Sequence, residues 1–441
     1  MSRFLTISGW PDRLQRLYRT SGVTPALPPE AASAADGNTI GDEMDSDDDP
    51  QDQPPMPFGL PFFGDMSGLL GGMSGDGAWR AARQLAFTLA TEGATESNVD
   101  PSVRIEIEQL ARVAELQVSQ ATGLSPAGGD VRVTAVTRTQ WADKAIDAYK
   151  PLFEKLTESL AQQPDLPADD EFGAGDPATA MFGQMMKMIG PMMLSMTAGS
   201  MVGHMARRSI GQYDIPVPRD GDEILIVPGN LDEFGDDWSL DSTDLRLWVC
   251  LHEIAHHLVL SVPHIGGTIR RLMLDHAGAF RSDPTALEQK LGTLDLSNPA
   301  ALGELQSTLN DPEVILGAIR SPEQEAIKPQ LDAVTALVVG LVDHVMDSVG
   351  DGLLASYGQL TEALRRRRVE ADPADRFVER MLGLELTQDQ YDRGAAFVDG
   401  VVERAGTEGL YRLWEDERML PTPNELDAPG LWLARIDLPL D

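Results

Sequence analysis

The stretch WVCLHEIAHHLVL, residues 248–260, carries the pattern H-E-x-x-H at His252, Glu253 and His256. Its apolar residues recur at helical spacing, and Asp241 upstream is a suitable N-cap, so we predict a helix that begins after Asp241 and runs through the pattern. Residues four apart share one face of a helix, which lets both imidazoles reach one metal ion. The stretch therefore predicts a zinc site.

Glu253 follows the first of these histidines directly, so its carboxylate can address a water molecule bound to the metal. Zinc lowers the pKa of such a water toward about 7, and a neighbouring carboxylate can take the proton as hydroxide attacks a carbonyl carbon. The pattern predicts a zinc-dependent metallohydrolase, most simply a peptidase, with Glu253 as general base. The structural alternative is a helix whose histidines only pack in the core.

A catalytic zinc usually takes a third protein ligand. The best candidate stretch is TALVVGLVDHVMDSVGD, residues 335–351, an apolar helical run that carries Asp343 and His344. A carboxylate or an imidazole in such a run is costly unless it is paired or bound to metal. We predict Asp343 as the third ligand, with His344 as the alternative. Asp343 is equally compatible with a hydrogen bond that orients a metal-bound histidine.

The composition restricts the partners. The 441-residue chain has a formal net charge of -35 and a pI near 4.4, with a hydrophobic fraction of 42%. A polyanion would be repelled over most of this surface, and no stripe of Lys and Arg with interleaved aromatic residues offsets the repulsion. We expect a peptide or protein substrate and no nucleic acid. Nothing in the sequence decides the oligomeric state.

Cys250 is the single cysteine, which excludes an intramolecular disulfide and fits a reducing compartment. Its apolar helical surroundings indicate a core residue rather than a reactive thiol. The N-terminal sequence MSRFLTISGW lacks the long apolar run of a secretory signal. We therefore expect a cytoplasmic protein.

Several strings together resemble the actinobacterial zincin-like metallopeptidases, over residues 180 to 420. These strings are GPMMLSMTAGSMVGHMARRSIGQYDIPVP (190–218), VPGNLDEF (227–234), LHEIAHH (251–257), LVDHVMDSVG (341–350) and QYDRGAAFVDGVVERAG (390–406). The resemblance implies a zincin-like core, mostly α-helical with a small sheet, and an unassigned substrate. It also supports His252 and His256 as ligands and Glu253 as base.

The chain departs from this family at one position. The helix equivalent to LVVGLVDHVMD often has a glutamate just before the glycine, and Val339 stands there in this chain. If that glutamate is the usual third ligand, this protein uses Asp343 or His344, or binds zinc weakly. A catalytically inactive zincin-fold protein that binds a partner is therefore an alternative function. Hydrolysis of a non-peptide amide is a third, because the metal acts on either carbonyl in the same way.

We expect a mainly α fold with a small β-sheet (α+β). Residues 1–76 form an acidic, proline-rich region that we expect to be largely disordered, 77–178 a helical N-terminal part and 179–441 the zincin-like catalytic part. The methionine-rich stretch 181–205 predicts a buried helix rather than a membrane span, with Gly199 and Gly203 allowing close helix packing. His257 is expected to face solvent or to stand behind the metal ligands.

The β-branched run from Glu223 to Val227 predicts a strand. Zinc peptidases commonly hold an extended substrate along an edge strand beside the metal helix, so this strand has two possible roles. It either binds substrate through its backbone or has a purely structural role.

Overall fold

The computed structural model describes residues 76–126, 129–161, 177–280, 321–369, 378–384 and 386–438. The helices are α1 (Asp76–Thr91), α2 (Pro101–Thr122), α3 (Arg138–Ala161), α4 (Pro177–Ala206), α5 (Pro228–Trp238), α6 (Ser242–Ser261), α7 (Pro263–Gly278), α8 (Pro322–Leu353), α9 (Tyr357–Val369), α10 (Gln388–Ala405), α11 (Pro423–Leu426) and α12 (Pro429–Ile436). The strands are β1 (Arg132–Ala135) and β2 (Glu223–Ile226), and short 3₁₀ helices cover Thr407–Trp414 and Glu417–Met419. The expected α+β fold with a small sheet is confirmed.

Side chains ahead of three long helices satisfy the backbone N–H groups that the first helical turn leaves unpaired. The Asp100 carboxylate accepts from Ser102 N at the start of α2, with Pro101 in the first helical position. The Asp241 carboxylate accepts from the backbone at the start of α6, as predicted. Ser321 forms a reciprocal capping box with Gln324 at the start of α8.

Strands β1 and β2 pair in parallel, with Arg132 opposite Glu223 and Ala135 opposite Ile226. Parallel strands need a long crossover connection, and α3 and α4 lie within it. The other side of β2 is partly covered, because Gly211 forms an antiparallel bridge with Ile226. The predicted strand is therefore confirmed, and this bridge favours its structural role over substrate binding.

Helix α8 lies in the centre of the core and packs against α2, α6, α7 and α10. It is the described helix that is long and apolar enough to cross a membrane, but 78% of its most apolar window is buried inside the protein. Residues of α2 and α3 share a core cluster with residues of α6, α8 and α10. Cys250 is fully buried in this cluster, and burial raises the pKa of its thiol.

The methionine-rich stretch forms part of helix α4, as predicted. Gly199 and Gly203 face α1 so closely that a Cβ on Gly203 would lie 2.9 Å from the Ala86 carbonyl oxygen. Both glycines are therefore used for close helix packing. The predicted acidic region, residues 1–76, lies outside the described residues apart from Asp76, where α1 begins.

The crossing of α8 and α10 offers a test of this packing. A Cβ on Gly340 would lie 2.7 Å from Gly394 Cα, in backbone that cannot move aside. We expect Gly340→Ala to lower the free energy of unfolding by about 1–3 kcal/mol through overpacking. Gly352→Ala, on the same helix with open space around its Cβ, is the control and should not destabilise the protein. Equal urea midpoints for the two variants would contradict the packing described.

Candidate metal centre

Helix α6 places the three residues of the H-E-x-x-H pattern in the protein interior. The exposed fractions are 7% for His252, 0% for Glu253 and 4% for His256. The centroids of the two imidazole rings lie 4.4 Å apart, as expected for residues one turn apart on a helix. The Trp248 indole stacks on His252 from one turn earlier, at 4.9 Å between centroids.

The hydrogen bonds of both rings determine their tautomers. His256 Nδ1 lies 3.2 Å from the His252 carbonyl oxygen, which can only accept, so Nδ1–H donates and Nε2 carries the lone pair. His252 Nε2 lies 3.3 Å from Arg368 Nη2, and a guanidinium can only donate, so this Nε2 accepts. His252 Nδ1–H then donates to Glu253 Oε1 at 3.2 Å. In both rings Nε2 is the nitrogen with a lone pair.

Burial keeps both imidazoles neutral. It lowers the pKa of His256 to about 3 and the pKa of His252 well below its usual range, with His256 and Arg368 lowering the latter further. Burial also raises the pKa of Glu253 to about 8, with Asp214 contributing and backbone donors opposing. Neutral imidazoles are the form that binds a metal ion.

The Glu253 carboxylate is held by a segment that lies between α6 and β2. Its Oε2 accepts hydrogen bonds from the backbone N–H groups of Gln212 and Tyr213, at 2.7 and 2.8 Å. Gly211 immediately before them packs against the same carboxylate. Its carbonyl oxygen accepts from Trp141 Nε1 at 2.8 Å. One carboxylate oxygen is thus used for the backbone and the other for His252.

Tyr213 contacts both His256 and His257 and lines the cavity that His252 and His256 also line. Its ring stacks on His256 at 5.9 Å, and its hydroxyl lies 3.0 Å from His257 Nδ1. His257 is 1% exposed, and its Nε2 lies 3.6 Å from Asp222 Oδ1. A solvent-facing position for His257 is therefore wrong, because the side chain lies against Tyr213, behind the His252–His256 pair.

The sequence reasoning missed Arg368, the last arginine of a run of four in α9. Its Nη2 contacts His252 Nε2, and its Nη1 lies 3.4 Å from Asp343 Oδ1. The guanidinium also lies over the Tyr391 ring, 4.8 Å from the centroid. The run of four arginines in a strongly acidic chain was the available signal, although it does not indicate which arginine points inward.

A small cavity of about 30 Å³ lies in front of the two imidazoles. Val339 lines it, so the position where the resemblance leads to a glutamate does face the histidines and is apolar here. A second cavity of about 70 Å³ adjoins it. The two cavities share four lining side chains, which are Asp214, Arg367, Arg368 and Tyr391.

The two predicted third ligands lie in different places. Asp343 is paired with Arg368, whereas His344 lines a separate surface cleft together with Gln117 and Tyr411. No group of three His, Cys, Asp or Glu side chains arranged to hold a metal ion occurs among the described residues. The structure thus brings two of the predicted ligands together and links Asp343 to them only through Arg368.

The donors present suit zinc. Histidines that bind zinc typically donate their other ring N–H to a carboxylate or a carbonyl oxygen, and both His252 and His256 do so. Their Nε2 atoms are neutral donors on one helix face beside a carboxylate. His252 and His256 account for two of the three protein ligands that a catalytic zinc usually has.

The family of zincin-like metallopeptidases matches residues 78–433. The chain belongs to the zincin-like metallopeptidase family. A crystal structure described as that of a "putative hydrolase with a novel fold" from Chloroflexus aurantiacus has the same fold, with a TM-score of 0.53 and 24% identity over 82% of this chain and 99% of that one. The curated proteins include no match.

The zincin-like match begins in α1 and therefore includes the helical part that we separated at residues 77–178. It also includes the H-E-x-x-H helix, the Arg368 helix and Asp343. The family points to a metal-dependent hydrolase.

Gly211 provides a test of how the zincin-like site is held. A Cβ there would lie 2.5 Å from Glu253 Oε1 and 2.7 Å from Oε2, in a buried place. We expect Gly211→Ala to lower the free energy of unfolding by about 1–3 kcal/mol, because the carboxylate must move off its backbone donors. Thermal unfolding measures this. Gly229→Ala, with nothing near its Cβ, is the control, and equal losses in both variants would contradict the account.

Proposed function

We propose that this protein is a zinc-dependent hydrolase that cleaves an amide bond, most simply in a peptide or protein. The single observation that carries the proposal is the matched state of His252 and His256. Both rings are buried and neutral, donate Nδ1–H to an oxygen and keep the Nε2 lone pair for a ligand. Core histidines without a metal-binding role do not need this shared arrangement on one helix face.

His252 and His256 would hold the metal through Nε2, and we propose Asp343 as the third protein ligand. His344 is the weaker choice, because it lines a separate cleft. Zinc supplies Lewis acidity and lowers the pKa of water toward about 7. Asp343 can serve only after it separates from Arg368, with which it is paired.

Glu253 has two roles in this proposal, one for each oxygen. Oε2 accepts from two backbone N–H groups, which fixes the carboxylate in place. Oε1 orients the His252 ring and is the oxygen left to take a proton from the attacking water and return it to the leaving amine. A pKa of about 8 makes this carboxylate a stronger base than an exposed one, which suits proton transfer near neutral pH.

A non-catalytic, partner-binding protein is the second candidate. Two observations favour it: the described residues contain no third ligand in place, and Arg368 contacts the lone-pair nitrogen of His252. Metal binding separates the two candidates. The cytoplasmic location, the absence of nucleic-acid binding and the absence of a membrane partner are further parts of our proposal, and they are supported by the cysteine usage and the acidic composition.

Each protein is incubated with excess zinc and desalted, and its zinc content is then measured. Hydrolysis of a peptide library and of small amides is measured in parallel. We expect His252→Ala and His256→Ala to lose the metal. Glu253→Gln should keep the metal and lose about 10²–10⁴-fold in hydrolysis, the contribution typical of a general base.

His344→Ala is the matched control, since it removes an imidazole from the same helix as Asp343 but from another cleft. It should keep both zinc and activity. Folded protein that takes up no zinc, either as wild type or as Arg368→Gln, in which the contact with His252 Nε2 is removed, would exclude the enzyme and leave the partner-binding function. Activity on small amides alone would replace the peptide substrate by a non-peptide one.

A further inference from the structure

We propose that Arg368 is an internal cation that occupies the zinc-binding nitrogen of His252, so that zinc enters only when this side chain moves out. The inference rests on the zinc-dependent function proposed above and deepens it by naming what controls access to the metal. Arg368 is then a positioning residue. We call the conformation in which it contacts His252 Nε2 the closed state of the protein.

The guanidinium touches the two groups between which the metal is expected. Nη2 lies 3.3 Å from His252 Nε2, and Nη1 lies 3.4 Å from Asp343 Oδ1. These atoms belong to one proposed ligand on α6 and another on α8. Arg368 therefore bridges the predicted ligand pair with two N–H donors, one to each group.

The chemistry of the two cations explains why one can stand in for the other. Arginine stays charged in proteins, and its planar fork offers two N–H donors in fixed directions. One donor satisfies the lone pair of a neutral imidazole and the other satisfies a carboxylate. The Asp343 side chain is partly buried, and burial disfavours its charged form, so the carboxylate is less stable there without a cation. The internal cation thus stabilises a site that holds no metal.

The cavities indicate that the site is closed. The space in front of the imidazoles, about 30 Å³, holds one or two water molecules and no substrate, since ligand pockets usually measure about 300 Å³ or more. Arg368 and Tyr391 line this space and also the adjoining cavity of about 70 Å³. Moving the Arg368 side chain would join the two spaces and uncover His252 Nε2.

The neighbouring arginine indicates that the side chain moves while the helix stays. Arg367 donates to both carboxylate oxygens of Asp214, at 3.4 and 3.0 Å, and to the Arg208 carbonyl oxygen at 2.6 Å. This anchor fixes the end of α9 to the segment that holds Glu253. Arg368 itself makes longer contacts, at 3.3 and 3.4 Å, and is the easier of the two to release.

The test measures zinc affinity by competition with a chromophoric chelator, independently of any activity. We expect Arg368→Gln to bind zinc about tenfold tighter or more than wild type, because the binding-competent state is no longer the minor one. Arg366→Gln is the matched control, since Arg366 is on the same helix and pairs with Glu362 on the surface. It should leave zinc affinity unchanged, although it removes the same positive charge.

Two further variants keep the proposal falsifiable. Arg368→Lys retains the charge but offers one compact ammonium in place of the fork, so its zinc affinity should lie between those of wild type and Arg368→Gln. Asp343→Asn combined with Arg368→Gln should lose the gain, because the freed carboxylate is then absent. A gain that survives this change would support the internal cation but exclude Asp343 as the ligand.

The failure of this inference differs from the failure of the proposed function. Equal zinc affinity in wild type, Arg368→Gln and Arg368→Lys, with binding lost in His252→Ala, would overturn the internal cation and leave the zinc enzyme intact. An absence of zinc binding in all folded variants, Arg368→Gln included, would overturn both.

Discussion

A buried carboxylate must find donors inside the protein, and Glu253 finds them in the backbone of Gln212 and Tyr213. This requirement fixes the segment around Gly211 between helix α6 and strand β2. The same segment bridges to Ile226, so the small sheet and helix α6 share one connecting segment. A side chain at 211 would break the arrangement, which is why glycine is required there without any unusual backbone angle.

The fixed segment then determines the surroundings of the histidines. Gln212 and Tyr213 both donate their N–H groups to Glu253, which fixes the backbone of Tyr213. The Tyr213 ring is thereby placed against His256 and its hydroxyl against His257. Asp214 follows, and it accepts hydrogen bonds from Arg367 and from the Ile210 N–H. The hydrogen bonds of the Glu253 carboxylate therefore position the residues that line one side of the cavity. Through the Asp214–Arg367 pair they also position helix α9, which carries Arg368.

The features that the sequence predicted are those with local causes. The cap at Asp241 follows from side-chain chemistry next to a helix start, and the pairing of His252 with His256 follows from the pitch of α6. The strand at 223 followed from its β-branched run. Each of these needs only neighbours in the sequence.

The features that escaped the sequence need contacts between distant segments. Arg368 lies 116 residues from His252, and its inward direction depends on how α9 packs, which no local pattern encodes. The burial of His257 depends in the same way on Tyr213, 44 residues earlier. His344 lines a surface cleft, whereas Asp343, one residue earlier, points toward Arg368. One residue on a helix corresponds to about 100° of rotation. Hydrophobic periodicity does not resolve this difference in a run that is apolar almost throughout.

The valine at 339 and the arginine at 368 belong to one electrostatic arrangement. Val339 and Asp343 are one turn apart on α8, so they lie on the same face of that helix. Val339 lines the cavity in front of the two histidines, and Asp343 pairs with Arg368. The resemblance implies a glutamate at position 339, beside the histidines. This chain has the apolar Val339 there, and the nearest carboxylate on α8 is Asp343, one turn further along. The Arg368 guanidinium reaches both groups, at 3.3 Å from His252 Nε2 and 3.4 Å from Asp343 Oδ1. Zinc bonds to such ligands are only about 2 Å long, so on the proposed function Asp343 would have to move inward. The position of Asp343 therefore accounts for the arginine in this site, and on the proposed function zinc would have to compete with that arginine.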